Sequence, residues 1–134
     1  MLAAAIGTLA VAAALGCLLI FWGGWWLILA GIAIVAGALA YSTGPYPLSR
    51  HGWGEAAVII FFGIAPVTLT FYCMSGGITQ EVWLASLTRG LLGANVLVVN
   101  NYRDIDEDRN VGKLTLEVRL GPRMARRLYL FNGL

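Results

Sequence analysis

Uncharged apolar stretches, each about as long as a membrane is thick, recur along this chain, and its polar positions gather between them. From Met1 to Ser49 there is no Asp, Glu, Lys, Arg or His. A helix crossing the hydrocarbon core needs about 20 apolar residues. Four segments supply them, roughly 3–21, 25–41, 54–74 and 82–100, and a fifth begins at 125 and stops short at Leu134. Helices are expected because lipid offers the backbone no hydrogen-bonding partner. The predicted class is therefore all-α: an integral membrane helical bundle, one domain over 1–134, with four full spans, a truncated fifth, and polar loops at 42–53 and 101–121. The first span is rich in small residues (Ala3, Ala4, Gly7, Ala12, Ala13, Ala14, Gly16), which suit close helix–helix contact. Trp22, Trp25 and Trp26 flank Gly23-Gly24, as interfacial aromatics do. Pro66 predicts a kink inside the third span.

Charge sharpens this picture. Of the 134 residues 59% are hydrophobic and 12% charged, about half the charge of an ordinary soluble domain. Beyond Arg50, Glu55, Glu81 and Arg89, every charged residue lies between Arg103 and Arg127. The connectors 21–25 and 75–80 carry no Lys or Arg, whereas the one around 41–53 carries Arg50 and the last carries Lys113 and six arginines. Counting spans puts the two basic connectors on one face, which the positive-inside rule makes cytoplasmic, in a cell membrane crossed several times. A lipid bilayer is thus the expected surrounding, and a net charge of +2, confined to one loop, argues against nucleic acid as a partner. A cleaved signal peptide does not fit, because no cation precedes the first apolar run and a second follows at once. Cys17 and Cys73 fall inside apolar segments and read as packing residues. Arg89, inside the fourth span, reads as a snorkelling cation before it reads as a site.

Candidate chemistry concentrates in Asn100-Asn101-Tyr102-Arg103-Asp104-Ile105-Asp106-Glu107-Asp108-Arg109, directly after the fourth span. Asn100, Asp104 and Asp108 recur every four residues, so a continuing helix stacks them on one face. Like charges at that spacing repel, and something cationic has to offset them. Oxygen donors of this kind suit a hard cation such as Mg²⁺, which takes one or two carboxylates plus substrate phosphates. Arg103, Arg109 and Lys113 stand beside them for phosphate oxygens that the metal does not cover. The bland alternative is a hydrated loop in which acids and bases pair in water, and spacing alone leaves the two about even. An EF-hand is excluded because Gly and Glu are missing from its required loop positions. A CDP-alcohol phosphotransferase core, DxxDG, is absent as well.

The same stretch, continued by Gly112-Lys113-Leu114-Thr115-Leu116 and Val118-Arg119-Leu120-Gly121, resembles the second aspartate-rich motif of the UbiA superfamily, most closely its 1,4-dihydroxy-2-naphthoate prenyltransferase branch. Ala40-Tyr41-Ser42-Thr43-Gly44-Pro45-Tyr46-Pro47-Leu48, then His51-Gly52, Gly54-Glu55 and Phe61-Phe62-Gly63, is similar to an earlier loop of that branch. The resemblance covers 40 to the C-terminus; the first two spans match only as generic helices. It implies a nine-helix bundle around a cavity open to lipid, of which these segments would be the third through the start of the seventh. The chain is thus expected to be part of a longer protein, and inactive alone, since the family's first aspartate-rich motif is not in it. The implied activity is Mg²⁺-dependent transfer from polyprenyl diphosphate to 1,4-dihydroxy-2-naphthoate, with loss of CO₂. Asn100, Asp104 and Asp108 would hold the metal, and Arg50, Asn101, Arg103 and Lys113 the diphosphate. Asp104, Asp108, Lys113 and Tyr46 would be catalytic, Tyr46 through its ring face on an allylic cation. His51 has the acceptor as one possible partner, though surface placement is the commoner fate of a lone loop His. Two rivals are a related transferase for another aromatic acceptor and a small non-catalytic membrane protein.

Overall fold

The computed structural model describes residues 2–133, which form helices and connecting turns, with no strand among them. In chain order these are α1 (Leu2–Leu18), α2 (Ile20–Gly23), α3 (Trp26–Ser42), a 3₁₀ turn (Leu48–Arg50), α4 (Gly54–Val58), a π segment (Ile59–Ile64), α5 (Ala65–Ser75), α6 (Gln80–Arg103), α7 (Ile105–Asn110), α8 (Leu116–Leu120) and α9 (Pro122–Gly133). Three stretches are long and apolar enough to cross a membrane: Ile6–Gly23, Gly54–Ser75 and Gln80–Arg103; Trp26–Ser42 is apolar but shorter. Glycine ends two of these runs where the backbone needs positive φ. Gly24 (φ 86°) separates α2 from α3, and Gly76 (φ 75°) closes α5 in the left-handed conformation of a helix C-cap.

The bend expected at Pro66 takes the form of the π segment just before it. Proline has no N–H to give to the carbonyl four residues back, and its ring crowds that carbonyl. A wider turn over Ile59–Ile64 relieves the conflict while keeping the chain helical through lipid. That segment packs directly on α6. Gly63 and Gly90 meet so closely that a Cβ on either would run into the backbone of the other helix. Gly37 of α3 leaves room for the ring of Phe61 in the same way. At the far end Trp26 and Tyr72 meet edge to face, ring centroids 4.9 Å apart.

α9 folds back along α6, tied by Asn95 Nδ2 donating 3.0 Å to the Tyr129 carbonyl and by Arg126 donating 2.9 Å to the Tyr102 hydroxyl. Large apolar side chains otherwise face outward: Phe21, Met74, Phe131 and Trp22 are all at least three-quarters exposed. In water this would be a liability, but lipid solvates such surface as well as a protein core does. The small-residue face of α1 differs from its expected role, since nothing described lies within 4 Å of a Cβ built on Gly7 or Gly16.

Candidate functional site

The polar end of α6 gathers most of the chain's charge. The helix stops at Arg103, and Asp104 (φ −99°, ψ 15°) is a one-residue joint before α7. The joint does not break the ladder. Asp104 N–H donates to the Asn100 carbonyl at 3.1 Å, and Asp108 N–H donates to the Asp104 carbonyl at 2.8 Å. Asn100, Asp104 and Asp108 therefore follow one another turn by turn, although on two short-coupled helices and not on the single continuing helix that their spacing suggests.

The cations needed to offset these acids come from the chain itself. Arg103 grips Asp104 through two bonds, Nε to Oδ1 at 2.6 Å and Nη2 to Oδ2 at 3.0 Å. That bond is the main reason the Asp104 carboxyl sits below its usual range, so it is ionised throughout the neutral range. Asp108 is buried and accepts 2.8 Å from Lys113 Nζ. Lys113 reaches it because Gly112 (φ 69°) turns the chain back, and its own N–H donates to the Asp108 carbonyl at 2.8 Å. Asp106 and Arg109 form a looser, exposed pair at 3.6 Å.

The earlier polar loop comes to the same end. Leu114 N–H donates 2.8 Å to the Arg50 carbonyl, and Arg119 Nε donates 3.2 Å to the Leu114 carbonyl. The Arg50 side chain is exposed and without an ion pair among the described residues. Tyr46 lies flat on His51, ring centroids 3.6 Å apart, and His51 Nδ1 lies 2.8 Å from the Pro47 carbonyl oxygen. Both loops with candidate phosphate-binding groups thus share one end of the bundle. Asn101 is the exception. It points inward, its Nδ2 donating 2.9 Å to Glu55 Oε1, and is not gathered with Asn100, Asp104 and Lys113.

Below this end a groove of about 690 Å³ runs between α3, the π segment and α6. Phe61, Gly93 and Leu97 line it, Asn100 belongs to its wall, and Arg89 lies eleven residues further down α6. At 1.5 Å per residue that is about 16 Å. Apart from Arg89, Asn100 and the hydroxyl-bearing Tyr41 and Ser42 the lining is apolar, a surface that can take a long hydrocarbon. Among the described residues no three His, Cys, Asp or Glu side chains converge as a metal cage, and the oxygen donors present amount to two carboxylates and an amide. Such a set fits Mg²⁺ only when substrate phosphates complete the shell.

Sequence reasoning passed over two buried acids, Glu55 and Glu117. The available signal was a charge inside an apolar run: Glu55 opens a span, and Glu117 sits between Leu116 and Val118.

Helices apolar enough to cross a membrane, with paired acids and bases at one end above a largely apolar groove, define a class of integral membrane protein. The comparisons make this specific: residues 2–134 match the UbiA prenyltransferase family, and the chain belongs to it. It is 39% identical over 128 residues to the 1,4-dihydroxy-2-naphthoate octaprenyltransferase of Mycobacterium tuberculosis (strain ATCC 25618 / H37Rv), covering 96% of this chain and 44% of that protein. The protein of the same name in Escherichia coli (strain K12) is 41% identical over 103 residues, covering 77% of this chain and 33% of its own length. The 2-carboxy-1,4-naphthoquinone phytyltransferase of Synechocystis sp. (strain ATCC 27184 / PCC 6803 / Kazusa) is 29% identical over 98 residues, 73% of this chain and 32% of that protein. The chain thus spans less than half the length of these relatives. No solved structure matches it significantly.

Proposed function

We propose that this chain supplies one acid-rich cluster and one groove wall to a transferase that moves a polyprenyl group from polyprenyl diphosphate to 1,4-dihydroxy-2-naphthoate, with loss of CO₂, giving demethylmenaquinone. The observation that carries the reading is the turn-by-turn succession of Asp104 and Asp108 after Asn100, which lines the groove. The names of relatives at 39% and 41% identity support the acceptor. The basic loops support a cytoplasmic active end in a cell membrane.

Asn100, Asp104 and Asp108 would hold Mg²⁺, which when bound supplies neutralising charge for a departing diphosphate. Asp104 is suited to this because it is already ionised. Lys113 and Arg103, now paired with the acids, would turn one or more donors to phosphate oxygens. Arg50 would reach the same group from the other loop. Tyr46 would offer its ring face to the allylic cation as the C–O bond lengthens. Asn101, held by Glu55, would act on the diphosphate only by seating its neighbour Asn100.

A related transferase with a different tail or acceptor is the second reading, favoured by the likeness to a phytyltransferase. The first experiment titrates the chain in lipid nanodiscs with magnesium pyrophosphate. Binding that needs both ions and weakens at least about tenfold in Asp104→Asn supports the metal–diphosphate site. Binding that persists undiminished in Asp104→Asn removes the metal–diphosphate reading and favours a non-catalytic membrane protein. Comparing naphthoate with benzoate acceptors in the transfer assay then separates the two transferase readings.

A further inference from the structure

Beneath the two loops lie two acidic side chains with no part in that chemistry. Glu55, in the first turn of α4, is buried and accepts from Asn101 of α6. Glu117, in the first turn of α8, is 1% exposed, and neither of its oxygens has a hydrogen-bond partner among the described residues. Glu55 and Asn101 are the side chains that bear on Glu117, so three separate elements bring two carboxyls and one amide together.

Among the described residues no cation answers them. From α6, Arg103 is committed to Asp104; from the turn after α7, Lys113 is committed to Asp108. On α8 itself Arg119 donates to the Leu114 carbonyl. From α9, Arg126 lies on Tyr102, while Arg123 and Arg127 are exposed. Arg50 is exposed and His51 is stacked on Tyr46. The void beside Glu117 is about 10 Å³ and walled by Leu116, Leu120, Met124 and Leu128, too small and apolar for a hydrated ion. Two ionised carboxylates in such a place are strongly disfavoured, and a proton is the counter-charge that fits.

We propose that Glu55 and Glu117 share one proton, the carboxyl of one donating to the carboxylate of the other, and that this buried pair latches the loop bearing Arg50 onto the loop bearing Lys113. Both glutamates are positioning residues: Glu55 anchors the start of α4 directly after the Arg50 loop, and Glu117 anchors α8 directly after Lys113 and Leu114. The backbone bond from Leu114 to Arg50 joins the two loops, with Gly52 beside the Leu114 carbonyl. The latch stands without the prenyl-transfer reading; only its value for gripping a diphosphate rests on that reading.

Burial first, then the charge of Glu55, pushes the Glu117 carboxyl up to about 7 from an ordinary 4.5. A group protonated more readily in the closed state holds the latch fully below its open-state pKa and loses that hold as pH rises through the closed-state value. Opening therefore becomes easier between about 4.5 and about 7, and levels off above.

Hydrogen exchange at the Leu114 amide in the detergent-solubilised chain tests this, with protection expressed against the intrinsic exchange rate at each pH. Protection in the wild-type chain is expected to fall at least about tenfold between the two ends of that window. Glu117→Gln, neutral at every pH, is expected to stay flat. Equal slopes in the two proteins, or a flat wild-type profile, overturn the latch. Should the variant not fold, the wild-type chain still decides through infrared absorption. A protonated-carboxyl band at mildly acidic pH that titrates away near neutrality supports the shared proton, and its absence overturns it.

Discussion

Lys113 and Asp108 form the most consequential ion pair among the described residues, because both partners are largely withdrawn from solvent, their side chains 27% and 11% exposed. An exposed pair such as Asp106–Arg109 contributes next to nothing. Removing one partner of a mostly buried pair, by contrast, strands a charge. Lys113→Ala is expected to destabilise the chain by about 2 kcal/mol, read from thermal unfolding in detergent. Asp108→Asn with Lys113 intact should cost less, since an amide still accepts and lysine can reach water. For the transfer reaction, Asp104→Ala in an active preparation is expected to lower the rate at least about a hundredfold. Undiminished turnover would take Asp104 out of the metal site.

At the scale of elements, α6 is the post on which the rest is hung, and two glycines decide how closely. Gly63 on the π segment and Gly90 on α6 bring two backbones into contact. Gly90→Ala therefore puts a methyl group where the neighbouring helix already stands, against the Ile59 carbonyl and Cα. It is expected to cost about 1–3 kcal/mol, measured by denaturant unfolding in micelles. Gly7→Ala on α1, facing open space, serves as the control and should leave stability unchanged or slightly raised. Neither effect is visible in sequence, where all these glycines look like generic small residues of a membrane helix.

Across the whole molecule, the charged connectors meet at one end, tied by Leu114 to Arg50, and Trp26 and Tyr72 close the other. If the positive-inside rule applies, the charged end faces the cytoplasm. The check is cysteine labelling in a chain whose Cys17 and Cys73 are replaced by alanine. A cysteine at Ser49 should react with a membrane-impermeant maleimide only in inverted vesicles, and one at Gly77 only in intact cells. The opposite pattern would put the acid-rich end outside and away from a cytoplasmic pool of diphosphates.

The class of structure was written into the linear pattern. Apolar runs long enough to span lipid must become helices, since backbone groups there have to be satisfied within the segment. The four-residue spacing of Asn100, Asp104 and Asp108 was equally legible, and the backbone bonds carry it through the joint at Asp104. Tertiary structure decided what local period cannot reach. Asn101, expected at the diphosphate, bonds Glu55, 46 residues away, and that contact depends on α4 packing on α6. Likewise the burial of Glu117 is decided only when α8 is seated and water is excluded from it. Hydropathy and period fix which segments leave water, but the partner of a buried polar group is set only when those segments pack.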